Sequence, residues 1–148
     1  MAGNGPGVWT TTSLADALAA TEIAERGELS TRRVEGAEPV LVAVMHEHGD
    51  LPIYISVAGE QIVVSTLLWP VAEQVNSAAF NHFLLKAQKA VPLSNFAITE
   101  VDGAEYYELI GELPASSSLE MIVIELRVLA ENAIAAARDL REAFADAA

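Results

Sequence analysis

Apolar and polar residues recur along the first part of the chain at helical spacing. The stripe begins after Ser13, which precedes Asp16 by three residues as in a capping box, and it ends near Gly27. The sequence therefore predicts a short first helix, followed by a polar connection over residues 28–38. The apolar positions of this helix are Leu14, Ala17, Leu18 and Ile23.

Three apolar segments rich in β-branched residues come next, and each predicts a strand. The first, residues 39–48, is apolar on both faces, which is typical of the interior of a sheet. The second and third, residues 52–58 and 61–69, are separated by Gly59-Glu60, a pair that suits a tight hairpin turn. A two-residue turn places alternate residues of both strands on one face. That shared face consists of Ile53, Ile55, Val57, Ile62 and Val64.

The second half of the chain predicts another helix and another hairpin. Asn76 or Ser77 can cap a helix that Pro92 ends. Asp102-Gly103, one of the strongest short hairpin signals, joins strands over residues 95–101 and 104–113. The helix stripe is Phe80, Phe83, Leu84, Ala87 and Val91, and the hairpin face is Phe96, Ile98, Tyr107 and Leu109.

The last predicted helix covers about residues 118–146 and begins at a capping box of Ser117 with Glu120. Its first half is apolar on two sides, so it has two surfaces to bury, commonly a sheet and a second copy or partner. Its second half narrows to one stripe, Ala133, Ala137, Leu140 and Phe144. The residues that we identify as candidates for protein binding are Met121, Ile124 and Val128 on this helix, and Trp69.

Trp69 closes the third strand before Pro70, where an aromatic ring either fills the core or forms a binding hot spot. The element order is α-β-β-β-α-β-β-α, without an internal repeat. Antiparallel hairpins interleaved with helices indicate the α+β class, here a single two-layer sandwich in which helices pack on a mainly antiparallel sheet. Residues 1–8, rich in Gly, Asn and Pro, predict a flexible N-terminal tail, and residues 9–148 predict one domain.

Composition and charge narrow the function. The 148 residues are 52% hydrophobic, yet no run reaches the about 18–20 apolar residues of a membrane span. A net charge of −13 argues against nucleic acid or an anionic membrane surface as a partner. The chain has no cysteine, which excludes disulfides and thiolate chemistry. The N-terminus has neither the basic nor the apolar region of a signal peptide, so we expect a cytoplasmic protein.

One segment, His46-Glu47-His48-Gly49-Asp50, has the residue types of a metal site. On a strand, His46 and His48 would project to one face about 7 Å apart. A zinc site needs a third ligand, for which Asp50 and Glu60 are the candidates. The alternative is a solvated loop that follows the end of the strand.

Three stretches carry a resemblance to a known family: residues 59–71 (GEQIVVSTLLWPV), 78–98 and 116–134. They resemble the YjfI-like family of small bacterial proteins, whose function is unknown, and the resemblance covers the chain from about residue 9. The element order is also similar to the fold of type III secretion chaperones and YbjN-like regulators, which often dimerise and bind proteins.

The resemblance implies an accessory role in envelope stress or membrane maintenance, beside a phage-shock-like coiled-coil protein. It brings no catalytic motif and no cofactor. We therefore expect a non-enzymatic, homodimeric adaptor or chaperone-like regulator. The alternative is a small-ligand or metal-binding module that uses the His46/His48 loop.

Overall fold

The computed structural model describes residues 7–147, in which six strands form one antiparallel sheet. The strands are β1 (Leu29–Val34), β2 (Val40–Met45), β3 (Leu51–Ala58), β4 (Gln61–Pro70), β5 (Asn95–Val101) and β6 (Ala104–Pro114). Their order across the sheet is β1-β2-β3-β4-β6-β5. The α+β class is confirmed. The predicted order of helices and strands agrees with the structure apart from the first strand and the first predicted helix, which is divided into Thr11–Ala19 and Glu22–Glu25.

Helices pack on one face of this sheet. They are α1 (Thr11–Ala19), α2 (Glu22–Glu25), α3 (Ser77–Ala87), α4 (Leu119–Ala135) and α5 (Arg141–Ala147). A π-helical turn over Ala136–Leu140 joins α4 to α5 within the predicted last helix. Ala136, which follows the buried Ala133 by three residues, is buried instead of the predicted Ala137. None of the helices within residues 7–147 is long and apolar enough to span a membrane.

The prediction for the start of the chain was partly wrong. The cap of α1 is Thr10, whose side chain accepts from the backbone of Ser13 while the Ser13 side chain accepts from the Thr10 backbone. The observed cap thus lies three residues before the predicted one, Ser13, and Asp16 has no part in it. Of the predicted flexible tail, residues 1–6 lie outside the described residues.

The polar segment 28–38 is not a connection, as predicted, because it contains the edge strand β1. This strand pairs with β2, from Leu29 opposite Met45 to Val34 opposite Val40. Of its six residues only Leu29 is buried. An edge strand with one buried residue has no alternating apolar pattern, so no periodic signal predicts this strand.

Both predicted hairpins are confirmed. Ala58 pairs with Gln61 around the two-residue turn, and Val101 pairs with Ala104 around Asp102-Gly103. The residues predicted to share a face all lie on the helix-covered side. Most of them join the main core with Leu14, Leu18 and α4, whereas Tyr107 packs in a separate cluster with Trp69 and Phe80, and Ile98 is 43% exposed. The core residues that α4 contributes are Ile122, Leu126, Leu129, Ala130 and Ala133.

No helix of the described chain packs on the other side of the sheet, which we call the open face. Its side chains follow from the alternation along each strand and from the strand register. Most of them are apolar or uncharged. The open face includes Arg32, Val34, Val40, Val42, Val44, Pro52, Tyr54, Ser56, Val63, Ser65, Leu67, Tyr106, Glu108, Ile110, Glu112, Asn95, Ala97 and Thr99.

Candidate functional site

The two histidines of the candidate metal segment do not lie on a strand. β2 ends at Met45, and His46–His48 form one turn of 3-10 helix. The chain then reverses through Gly49 and Asp50, both at positive φ. The expectation that the two imidazoles project to one face of a strand was therefore wrong, because the alternation of a strand stops before them.

Protein groups occupy both ring nitrogens of His46. Nδ1 lies 2.7 Å from Asp50 Oδ1, and Nε2 lies 2.8 Å from the Ser30 hydroxyl. A carboxylate only accepts, so Nδ1 carries the proton that it donates, and Nε2 can accept from the serine. These hydrogen bonds fix the turn to β1 and leave no nitrogen of His46 directed at a metal.

The other proposed ligands do not converge with His46. Glu60 lies in the β3–β4 turn, at the opposite end of β3 from the histidine turn. His48 is half-buried, and its Nδ1 has no hydrogen-bond partner. Within residues 7–147, no group of three or more His, Cys, Asp or Glu side chains is placed to hold a metal ion. The segment therefore supplies a structured turn rather than a ligand set.

Trp69 lies in a second core cluster and has only 6% of its surface exposed. Its ring centroid is 5.9 Å from that of Phe80 and 5.6 Å from that of Tyr107, and the guanidinium of Arg141 lies 4.0 Å above it. Its Nε1 donates to Gln74 at 3.0 Å. The ring of Trp69 packs against side chains of its own chain, and its Nε1 already donates a hydrogen bond to Gln74. Trp69 is therefore not part of a surface that could contact a partner.

The three other predicted contact residues form a line on the outer side of α4. Met121 and Ile124 are 55% and 40% exposed, and Val128 is half-buried. Their spacing of three and four residues puts them on one side of the helix, opposite the buried stripe. We call Met121, Ile124 and Val128 the outer stripe.

An open groove of about 410 Å³ runs beside the outer stripe. Ile124 and Val123 form part of its apolar wall, and Arg127 lies at its charged side. Thr21, which caps α2, closes the groove on the other side. The outer stripe and this groove give α4 a continuous, partly apolar surface that faces away from the sheet.

Sequence reasoning missed a buried acid on the inner side of α4. Glu125 is 5% exposed, and its Oε2 atom is buried without a hydrogen-bond partner. It lies against Gly111 of β6, where a Cβ atom would come within 3.0 Å of the Glu125 Cδ and 3.2 Å of Val64 Cγ2. The glycine thus makes room for the carboxyl group. The available signal was an acid three residues after Ile122 and four before Leu129, within the apolar stripe.

Burial raises the pKa of Glu125, and in the described chain no charged neighbour opposes this shift. Burial also raises the pKa of Glu108 on the open face, where a hydrogen bond from Ser65 acts in the opposite direction. The pKa of the Tyr107 hydroxyl is raised by burial and by the charge of Glu105, and this hydroxyl donates to Asn81 at 2.6 Å. Glu108 lies on the open face, whereas Glu125, against Gly111, and Tyr107, in the second core cluster, lie on the covered side.

Two Escherichia coli proteins similar to this chain are both described as uncharacterized. "Uncharacterized protein YjfI" of Escherichia coli (strain K12) is 40% identical over 101 residues, which cover 68% of this chain and 76% of that protein. The protein of the same name from Escherichia coli O157:H7 matches to the same extent. These matches confirm the predicted resemblance to YjfI.

Two solved structures share the fold. An uncharacterized protein from Methanothermobacter thermautotrophicus has a TM-score of 0.57 at 12% identity, covering 86% of this chain and 96% of its own. YbjN from E. coli has a TM-score of 0.62 at 10% identity, covering 88% and 92%. The likeness to YbjN is confirmed at the level of fold, and the likeness to type III secretion chaperones stays a prediction.

The family itself follows from a match over almost the whole chain. The sequence model of this family matches residues 8–144. The match runs from the residue before Trp9 to Phe144, which packs against the second core cluster. This chain belongs to the family described as "Uncharacterized protein conserved in bacteria (DUF2170)".

Proposed function

We propose that this chain is a non-enzymatic protein-binding adaptor or chaperone-like regulator that holds its partner on the outer stripe of α4. The observation that carries the proposal is the exposure of Met121 and Ile124 on a helix whose other apolar side is already buried. Apolar side chains at helical spacing beside a groove are typical of surfaces that receive an amphipathic helix.

A coiled-coil partner suits this surface. A helix laid along α4 would place its apolar side chains against Ile124 and Val123 and its polar edge near Glu120 and Arg127, which line the same groove. The YjfI resemblance suggests a phage-shock-like coiled-coil protein, and with it a role in envelope stress or membrane maintenance. The partner would then connect this chain to the membrane.

The distribution of titratable groups also favours binding over catalysis. Catalytic acids and bases are commonly found where perturbed pKa values meet in one cleft. Here the carboxyl groups with raised pKa, Glu108 and Glu125, lie on opposite sides of the sheet. Neither lines the groove beside the outer stripe.

Affinity capture from the host, with membrane extract included, tests the proposal. We expect a stoichiometric protein partner with the wild type and its loss with the double variant Met121→Asp/Ile124→Asp, because two charges would face an apolar surface. The matched control is Leu85→Asp on α3, another exposed apolar residue of a helix, at 67% exposure. Equal recovery with both variants, or wild-type protein recovered alone, would contradict the proposal.

A further inference from the structure

The open face of the sheet is short of charge. The chain has 8 basic and 21 acidic residues, yet the strand residues of this face include only Arg32, Glu108 and Glu112 as charged groups. Between them lie apolar side chains that are exposed or partly exposed: Val40, Val44, Tyr54, Val63, Leu67 and Ile110. Val42, among them, is already fully buried within the chain. A surface with this composition resembles the centre of an interface more than a solvated surface.

The three charges occupy defined places in the strand register. One row of paired residues crosses all six strands, from Arg32 on β1 to Asn95 on β5. In order, the row is Arg32, Val42, Tyr54, Ser65, Ile110 and Asn95. Glu108, opposite Leu67, lies in the next row on one side, and Glu112, opposite Val63, lies in the next row on the other. The acids therefore flank Ile110, the fifth residue of the row that begins at Arg32, one strand before its end at Asn95.

We propose that the open face is the interface between two copies of this chain, related by a two-fold axis parallel to the strands between β3 and β4. Rotation about this axis keeps each row in place and reverses the strand order. Arg32 of one copy then lies over the second copy's Asn95, one strand (about 4.8 Å) beyond the second copy's Glu108 and Glu112 and midway between them along the strand direction. The same contact forms a second time by symmetry.

The geometry of packed sheets allows this contact. Two facing sheets lie about 10 Å apart, and neighbouring strands are about 4.8 Å apart. Extended arginine and glutamate side chains together bridge such a separation, and a guanidinium can bind carboxylates with its several donors. In the centre of the interface, the exposed Tyr54 would lie over the second copy's Ser65. The face thus complements itself in both charge and polarity.

A second copy explains this arrangement better than an unrelated protein. The one basic residue of the face lies where it meets the two acids of an identical face, and nowhere near them within its own sheet. The dimer deepens the proposed adaptor function but does not depend on it, because α4 lies on the other side of the sheet. Two copies would present two outer stripes on opposite sides of the assembly, which would increase avidity for a multivalent partner.

Sedimentation velocity on the full chain tests the interface through charge exchange. At about 0.15 M salt, where the Debye length of about 8 Å screens the net repulsion of the two acidic copies, we expect a wild-type dimer. Arg32→Glu alone, and Glu108→Arg/Glu112→Arg alone, each place like charges opposite one another and should weaken the dimer by about tenfold or more. A mixture of the two variants restores opposite charges at both contacts, so dimers should reappear.

Arg33→Glu is the matched control, because Arg33 neighbours Arg32 but points to the other face and contacts Glu35 and Thr12. We expect it to remain dimeric, and thermal melts confirm that each variant is folded. A monomeric wild type at tens of micromolar, a dimer that survives Arg32→Glu, or a mixture that stays monomeric would each overturn the proposal. The readout is independent of partner capture, so failure of the interface and failure of the adaptor function are distinguishable.

Discussion

Glu125 lies over the helix-covered face of β6 and Glu108 projects from the open face of the same strand, and burial raises the pKa of both carboxyl groups. Glu125 is closed in by α4 and the sheet, with one oxygen left without a partner. Glu108 is half-buried and receives a hydrogen bond from Ser65. The free-energy cost of burying Glu125 is therefore part of the folded monomer. The cost at Glu108 can be offset by a molecule that binds to the open face.

The largest expected difference between the faces is in side-chain truncation at two adjacent residues of β3. Ile55 is fully buried on the covered face, so Ile55→Ala should lower the free energy of unfolding by about 2–5 kcal/mol. Tyr54 is 38% exposed on the open face, so Tyr54→Ala should cost less than about 1 kcal/mol in the monomer. Urea unfolding in dilute solution measures both. Equal costs would show that the open face is covered within the monomer.

A double-mutant cycle at Gly111 and Glu125 tests how tightly the covered face is closed. Gly111→Ala should destabilise the protein by about 1–3 kcal/mol, because the added methyl group meets the Glu125 carboxyl and Val64. In a Glu125→Ala background, the same substitution should cost less, since the main obstacle is gone. Urea unfolding of the four proteins gives the coupling energy. An unchanged cost in the second background would locate the strain at Val64 instead.

The hairpins of the sheet were predictable because two local rules agree. The residue pairs Gly59-Glu60 and Asp102-Gly103 set the turns, and the alternation of apolar residues sets which face is buried. A shift of one residue would expose a whole set of apolar side chains. Sequence alone therefore determined both the register and the covered face of these strands.

The features that were not predicted depend on contacts between segments that are distant in the sequence. β1 forms because Leu29 and Met45 meet across the sheet, and a single buried residue gives no periodic signal. The turn at His46 depends on a hydrogen bond with Ser30, which is 16 residues away in the sequence. A local sequence pattern around His46 does not include Ser30. The two sides of α4 were predicted, but Glu125 interrupts the inner one, and its tolerance depends on Gly111 on another strand. The candidate stripe on α4 was thus predictable, while its buried acid was not.

Replacement of the buried Glu125 carboxyl group by an uncharged side chain should stabilise the protein, and the gain should depend on pH. The pKa of Glu125 in the folded state is above its usual 4.5, so the folded state loses stability as the pH rises from 4.5 through the raised pKa. Glu125→Met keeps the length of the side chain without a charge, and it should be more stable than the wild type by about 1 kcal/mol at pH 8. At pH 5 the advantage should shrink. Urea unfolding at both values checks this, and a loss of stability at both would mean that the carboxyl group has an unseen partner.

The smallest effect is expected at the matching carboxyl group of the open face. Glu108→Gln removes a charge from a half-buried site that water and Ser65 both reach, so in dilute monomer the free energy of unfolding should change by less than about 0.5 kcal/mol. The raised pKa of Glu108 makes any change a slight stabilisation at pH 8 that fades toward pH 5. Glu125→Met, measured in parallel, is the reference. If Glu108→Gln stabilised the monomer as much as Glu125→Met, the open face would be as dry as the covered face, and an external partner would no longer be needed to explain its lack of charge.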